Sequence, residues 1–221
     1  MAGDPTASLT VGETAYGRLR SDIVFGRLPP GQRLRLEALR SSYGVGIGTL
    51  REILSRLSAE GLVVAEGQRG FEVPPLSGRE LEELAALRLL LERHALADSF
   101  AAGDVEWEGR VVAAHHKLEV VEGRMIAGRR DEAPAWKRYD SEFHQALISA
   151  CGSRTLMQAH ASGFDRYLRY LMVVACFRGA AAADEHRRLR DCALERDAEG
   201  AARVLEGHIR GCVDHVLAKV R

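Results

Sequence analysis

The N-terminal quarter of the chain contains three short segments with helical periodicity. Apolar positions between Tyr16 and Val24 recur at helical spacing after TVGE, a capping-box pattern at residues 10–13, and they predict a first helix to about Phe25. The following PPG turn ends it, because proline and glycine disfavour a continuing helix. A second, short helix is predicted over residues 36–43.

The third segment follows a glycine-rich turn at residues 44–48 and ends near Gly61, a predicted C-cap. Its apolar positions form one helical face: Leu50, Ile53, Leu54 and Leu57. Two short helices joined by a tight turn that contains glycine are typical of a helix-turn-helix. The stretches LVVAE and GFEV, separated by GQR, then predict a two-stranded wing, which makes this unit a winged helix-turn-helix.

A proline-containing linker, PPLSGRE at residues 74–80, marks a change of architecture. Its Ser77 and Glu80 form a second capping-box pattern, which predicts the start of a long helix. We therefore predict two domains, a DNA-binding domain over 1–76 and a helical domain over 77–221.

The second domain shows helical periodicity throughout and no convincing strand. Its predicted helices cover residues 78–101, 104–127, 134–150, 154–178, 184–195 and 197–219. Asp104 and Asp197 are candidate N-caps. The fold class is therefore expected to be mainly α: a winged helix-turn-helix with a small β-wing, followed by an all-α bundle.

The composition is that of a globular chain, with 46% hydrophobic and 28% charged residues. No apolar stretch reaches the roughly 20 residues that a membrane span requires. The N-terminus, MAGDPTASLTVGE, lacks a basic start and an apolar core, so we expect a cytoplasmic protein without a membrane role. The cysteines have no CxxC spacing and are expected to be free thiols: Cys151, Cys176, Cys192 and Cys212.

Positive charge is concentrated in the first domain although the whole chain has a formal net charge of zero. Residues 15–57 contain eight arginines and only three acidic residues. A local basic surface on a helix-turn-helix indicates a nucleic-acid partner.

A recognition helix buries one face and presents its first turn to base edges. The residues left for this role are Gly46, Ile47, Gly48, Thr49 and Arg51. Arg51 is the best candidate for a bidentate contact with guanine or for phosphate binding. Gln68 and Arg69 at the wing tip could reach the minor groove or phosphates. Any one of these arginines could instead be an ordinary solvated side chain, so the inference depends on their arrangement.

Residues 15–76 resemble the DNA-binding domain of the GntR family of bacterial transcription regulators. The resemblance lies in GRLPPGQRL, YGVGIGTLREILSRLSAEGLV and EGQRGFEV. It implies DNA contacts at residues 46–49, Arg51, Arg69 and Gly70. Ile47 stands where many members carry a second arginine, and Glu37 where some carry another, so no consensus operator can be transferred.

Four residues of the second domain have the spacing of a metal site. Asp140 and His144 are four positions apart and share one helix face, while His186 and His208 lie on the apolar faces of two later helices. One carboxylate and three imidazoles would suit Zn²⁺, Ni²⁺ or Mn²⁺. The spacing alone also permits histidines that are hydrogen-bonded in the core.

Residues 78–220 resemble the FCD effector-binding domain, in whose metal-binding members an Asp, a His and two later histidines are the ligands. Asp140, His144, His186 and His208 occupy those positions, and the resemblance favours a divalent metal, with zinc first and nickel or manganese as alternatives. It also implies a small carboxylate effector. Candidate effector-binding residues are Arg88, Ser153 and Arg154, although Arg88 could instead pair with Glu92 along its helix.

The sequence thus predicts a non-enzymatic, ligand-controlled repressor of a catabolic operon that binds double-stranded operator DNA as a homodimer, with activation in place of repression left open. One alternative is a metal-dependent hydrolytic enzyme with a nucleic-acid module. Against it, no general base stands in a recognisable motif, and the glutamates near the ligands are interpreted as solvated helix charges: Glu142, Glu185 and Glu206. A second alternative is a DNA-binding protein with neither metal nor effector.

Overall fold

The computed structural model describes residues 10–67, 70–174 and 176–220. The chain divides into two compact units, Met1–Leu76 and Ser77–Arg221. Helices dominate both units, and the small sheet belongs to the first. Within the described residues, no helix is both long enough and apolar enough to cross a membrane.

The first unit begins with three helices, α1 (Val11–Val24), α2 (Leu36–Tyr43) and α3 (Ile47–Ala59). The capping box that starts α1 forms as predicted, since the Thr10 hydroxyl accepts from the Glu13 backbone and the Glu13 carboxylate accepts from the Thr10 backbone.

The turn between α2 and α3 depends on Gly44, which ends α2 with φ 69°. This left-handed conformation favours glycine because a Cβ would strain it. Helices α2 and α3 then pack through their apolar faces. On α3, the fully buried residues of this face are Leu50, Leu54 and Leu57. Tyr43 closes the core by donating a 2.7 Å hydrogen bond to Asp22 on α1.

The wing is part of a three-stranded antiparallel sheet in the order β1-β3-β2, with β1 (Arg33–Leu34), β2 (Val64–Ala65) and β3 (Phe71–Glu72). The hairpin of β2 and β3 was predicted, whereas β1 was not. A two-residue strand carries no readable alternation, and its partner β3 is remote in sequence. The predicted wing-tip residues Gln68 and Arg69 lie outside the described residues.

The second unit is a helical bundle with no strand among the residues described. Its helices are α4 (Gly78–Ala102), α5 (Val105–Ile126), α6 (Ala133–Ile148), α7 (Arg154–Val173), α8 (Ala180–Glu195) and α9 (Ala198–Val220). In the bundle α4 packs against α6, α7 and α9, while α8 packs against α5 and α9. Its core contains fully enclosed aromatic side chains: Trp107, Phe143, Phe164 and Tyr167.

Helix α7 is shorter and helix α8 longer than predicted. Beyond Val173, residues 174 and 176–178 are not helical; Cys176 is buried and Phe177 packs on Trp136. Gly179, with φ 63°, redirects the chain into α8. The alanines that follow lengthen α8 at its start, because alanine is the strongest helix former.

The start of α4 differs from the predicted capping box in one respect. The Ser77 hydroxyl accepts from the Glu80 backbone at 3.3 Å, as expected for an N-cap. The Glu80 carboxylate, however, accepts hydrogen bonds from Arg166 and Tyr170 on α7. Tyr170 also accepts from the Ser77 backbone at 3.2 Å, so α7 holds the first turn of α4.

Candidate metal centre

Four buried side chains converge inside the helical unit. Asp140 and His144 lie one turn apart on α6, His186 lies on α8 and His208 on α9. None is more than 3% exposed. One potential ligand atom from each lies within 4.8 Å of the others. The structure thus brings together the four residues that the sequence analysis selected.

The spacing of these atoms is close to that of a coordination shell. A metal ion bound at about 2.0–2.2 Å by imidazole and carboxylate would hold its ligand atoms roughly 3–4 Å apart. Asp140 Oδ1 lies 3.5 Å from His186 Nε2, already in that range. The ligand atoms lie up to 4.8 Å apart, so the side chains would have to close by roughly 1 Å around an ion.

Three imidazole nitrogens of this cluster have no hydrogen-bond partner within the described structure. Both ring nitrogens of His144 and Nε2 of His186 are buried without a hydrogen bond. Buried polar atoms are normally satisfied, so such atoms require an explanation. A bound cation at this point would satisfy them, and the donor set therefore fits a divalent metal ion.

Two carboxylates orient the histidines from outside, as carboxylates commonly do around metal-binding imidazoles. Glu122 on α5 lies 2.8 Å from His186 Nδ1, and Glu185 on α8 lies 2.8 Å from His208 Nδ1. We call Glu122 and Glu185 the outer carboxylates. A proton on each Nδ1 leaves the opposite ring nitrogen as an electron-pair donor.

The structure corrects the expectation that Glu185 is a solvated helix charge. Its side chain is 20% exposed and contacts both His208 and Arg178. Burial would raise the pKa of Glu185, but these hydrogen bonds outweigh burial and lower it to about 2. The carboxylate therefore stays ionised, and it was missed because both contacts cross between elements.

The protonation states of the inner residues suit metal binding. Burial, together with the positive charge of Arg88, lowers the pKa of His144 to about 3, so its imidazole is neutral at pH 7. Burial would raise the pKa of Asp140, but Lys137 and the surrounding histidines outweigh it and hold that pKa below its usual value. A neutral imidazole and an ionised carboxylate are the forms that bind metals.

A lysine that was not among the predicted site residues also reaches this centre. Lys137 lies one turn before Asp140 on α6, and its side chain is only 2% exposed. Its Nζ lies 3.3 Å from Asp140 Oδ2 and 4.1 Å from the centroid of the Trp136 ring. Positions 137, 140 and 144 share one helix face. The sequence could therefore have indicated Lys137, because it lies on the same face as two predicted ligands.

Arg88 is buried beside the centre. It forms the ion pair with Glu92 that was predicted as the alternative to effector binding. Its guanidinium donates to both carboxylate oxygens of Glu92, at 2.7 and 3.4 Å. Glu92 also lies 2.7 Å from His160 Nε2 and 3.6 Å from His144 Nδ1. The group links α4 and α7 to the helix that carries two of the candidate ligands.

The other candidate effector residues have different surroundings. Ser153 caps α7, where its hydroxyl accepts from the Leu156 backbone at 3.2 Å, and Arg154 is exposed. Neither is among the residues of the four-ligand cluster. His115 is buried against Phe143, whereas His116 is exposed. Burial and then Arg190 lower the pKa of His115 to about 4.

Removal of an outer carboxylate should weaken metal binding without removing a ligand. We expect Glu122→Ala to lower Zn²⁺ affinity about 10- to 100-fold, because His186 loses the group that fixes its ring and tautomer. Competition with a chelating dye measures the effect. Glu119→Ala is the matched control, since Glu119 is on the same helix but 47% exposed. Equal affinities in both variants would contradict the assigned role of Glu122.

The predicted DNA-contacting residues lie at the start of α3. Gly46 is its N-cap, Gly46 and Gly48 are exposed, and Ile47 and Thr49 are partly buried. Arg51 is exposed, and within the described part of the chain it has no ion pair. In the wing, Gly70 has φ 90°, which favours glycine there.

Comparisons with known proteins divide the chain in a similar way. Residues 11–73 match the family described as bacterial regulatory proteins, gntR family. Residues 83–211 match the FCD domain. The first match contains the helix-turn-helix and wing, and the second contains all four candidate ligands.

Similar curated proteins extend over nearly the whole chain. One is the uncharacterized HTH-type transcriptional regulator BphR of Paraburkholderia xenovorans (strain LB400), 41% identical over 92% of this chain and 84% of the relative. Another is the HTH-type transcriptional repressor GlaR of Escherichia coli (strain K12), 32% identical over 88% of this chain and 90% of the relative.

Solved structures share the fold. Escherichia coli McbR/YncC aligns with a TM-score of 0.80 at 19% identity, over 97% of this chain and all of the other. A GntR-type protein from Rhodococcus sp. RHA1 aligns with a TM-score of 0.78 at 22% identity, over 95% of this chain and 99% of the other. At these identities the likeness extends to the fold alone.

Proposed function

Since the chain belongs to the GntR family of bacterial regulatory proteins and carries an FCD domain, it is a transcriptional regulator, and we propose that it represses a catabolic operon until a small carboxylate binds beside a divalent metal ion. The relatives are named as transcriptional regulators and not as enzymes, so the hydrolytic alternative has no support. GlaR, the relative from Escherichia coli, is named as a repressor.

The DNA-binding part of the proposal is supported by the first turn of α3. Exposed glycines at positions 46 and 48 allow close approach to a groove, and Arg51 offers a guanidinium for a guanine edge or a phosphate. We propose a homodimer, because two such helices related by a twofold axis would match a palindromic operator.

The metal part of the proposal is supported chiefly by one observation: ring nitrogens of His144 and His186 are buried without a hydrogen bond inside a cluster of four potential metal ligands. Asp140, His144, His186 and His208 would hold the ion, and Glu122 and Glu185 would orient two of the rings. When bound, the ion would act as a Lewis acid that accepts a carboxylate oxygen of the effector. Zinc is the first choice for this donor set, with nickel or manganese as alternatives.

Control of DNA binding requires that the effector binds one arrangement of the dimer better than another. A coupling free energy of about 1 to 3 kcal/mol would change operator affinity about 5- to 150-fold. That range is sufficient for a repressor to leave its operator when the effector accumulates.

Selection from a random DNA library provides the first test, since it requires no known operator. The full-length protein should enrich an inverted repeat, and a carboxylate from a screened panel should weaken binding to the selected DNA only in metal-loaded protein. Enrichment without any carboxylate or metal effect would favour a DNA-binding protein with neither ligand. Failure to enrich any sequence would contradict specific DNA recognition.

Arg51 should contribute directly to binding of the selected DNA. We expect Arg51→Ala to weaken it by about 1 to 3 kcal/mol, because a guanine or phosphate contact is lost. Fluorescence anisotropy at fixed salt measures the change. Arg203→Ala is the control, since Arg203 is 70% exposed on α9. Parent-like affinity of Arg51→Ala would remove Arg51 from the recognition surface.

A further inference from the structure

A carboxylate effector would pair with a cation, and among the described residues Arg88 and Lys137 are almost fully buried cations beside Asp140 and His144. We propose that Lys137 binds the effector carboxylate and that the site takes an anion with a single negative charge near the metal. This inference rests on the proposed function, since it assumes a metal ion held by Asp140 and the three histidines.

Arg88 is already committed to another carboxylate. Its Nε and one terminal nitrogen donate to Glu92, and its guanidinium lies 4.7 Å from the ring centroid of Phe164 and 5.0 Å from that of Tyr167. Recruitment of Arg88 by an effector would leave Glu92 as a buried carboxylate without its main counter-ion. That is costly in a protein interior.

Lys137 is much less satisfied. An ammonium has three donors, and the described hydrogen bond of Lys137 is one at 3.3 Å to Asp140 Oδ2. A buried charge normally requires fuller pairing. Lys137 therefore has donors to offer at the point where Asp140 meets the metal ligands.

The charges of the centre set the charge of its ligand. The pairs Arg88 with Glu92 and Arg178 with Glu185 cancel internally. Lys137 then offsets one of the two remaining carboxylates, Asp140 and Glu122, while the inner histidines are neutral as ligands. A divalent ion added to this set leaves one uncompensated positive charge, which one carboxylate would neutralise.

A buried hydroxyl supplies a separate indication of a missing polar partner. Tyr167 is fully buried, and its hydroxyl has no hydrogen bond within the described structure. Its ring lies against the Arg88 guanidinium, next to the centre. A carboxylate has a second oxygen, and a hydroxyl of this kind could donate to it.

Cobalt-substituted protein tests the inference by a spectroscopic signal. Full-length protein loaded with Co²⁺ is titrated with acetate while the visible absorption of the ion is followed, and acetamide serves as the uncharged analogue. We expect Lys137→Met to bind Co²⁺ like the parent and to bind acetate at least tenfold more weakly. Lys137→Arg should retain most of the acetate affinity, because it keeps the charge.

Lys117→Met is the matched control, since Lys117 is 48% exposed and pairs with Glu142. Equal acetate affinity in Lys137→Met and the control would overturn the role of Lys137 while leaving the metal site intact. Loss of Co²⁺ from Lys137→Met would overturn it too, by showing that Lys137 only positions Asp140. A parent that binds no Co²⁺ would overturn the proposed metal function itself, and this inference with it.

Discussion

The double variant Asp140→Ala, His186→Ala is expected to contain no bound metal after purification without chelator, whereas the parent contains nearly one ion per chain. Two of the four donors are removed, and His144 and His208 alone cannot hold a divalent ion against dilution. Elemental analysis measures the content directly.

A thermal measurement extends this prediction. Zn²⁺ at about 100 times its dissociation constant stabilises the native state by about 2.7 kcal/mol. For a domain of the size of the helical unit, this raises Tm by roughly 5 to 10 °C. We expect that rise in the parent and its absence in the double variant.

The chain contains a suitable control for this comparison. Asp98 and His94 form an i, i+4 pair on α4 like that of Asp140 and His144, but they are 46% and 70% exposed. The double variant His94→Ala, Asp98→Ala should keep both the metal and the Tm rise. A parent without metal, or metal retained by Asp140→Ala, His186→Ala, would assign the buried histidines to the core alone.

The largest loss of stability is expected from Arg88→Met. The substitution leaves the Glu92 carboxylate buried without its guanidinium partner, and breaking a buried pair in this way costs about 3 to 5 kcal/mol. Urea denaturation followed by circular dichroism measures the free energy of unfolding.

The second half of this test replaces both charged side chains of the pair with apolar ones. Arg88→Met combined with Glu92→Leu should be more stable than Arg88→Met alone, because no uncompensated charge remains. Arg79→Met is the surface control, since Arg79 makes an exposed i, i+4 pair with Glu83 and should change stability little. An additive loss in the Arg88 and Glu92 double variant would contradict the ion-pair interpretation.

The helices of this protein could be predicted because each one buries a periodic apolar face. Strand β1 could not, since two residues carry no pattern until β3 pairs with them. The end of α7 was predicted too late for a related reason. Val174, Cys176 and Phe177 beyond the end of α7 are still apolar, so composition alone does not show that the chain has left the helix.

The candidate metal ligands could be predicted from the sequence because two of them lie one turn apart on the same helix. The other two lie on the apolar faces of later helices. The outer carboxylates could not be predicted in this way, because each contacts a histidine on another helix. Glu122 on α5 contacts His186 on α8, and Glu185 on α8 contacts His208 on α9.

For Glu122, the sequence indicated a buried role only by placing a charged residue on an apolar helix face. Glu122 follows Val121 and precedes Met125 on the buried face of α5. Lys137 is likewise a charged residue on the buried face of its helix, α6.

The place of Trp136 gives the protein a built-in optical probe. The chain has two tryptophans, Trp107 and Trp136, and both belong to the helical unit. Emission excited at wavelengths that select indole therefore comes from that unit alone, with no contribution from the winged helix. Because the ammonium of Lys137 lies 4.1 Å from the Trp136 ring, an anion that draws it away would alter the indole's local field. Occupancy of the centre could thus be followed in unlabelled protein, even while DNA is bound.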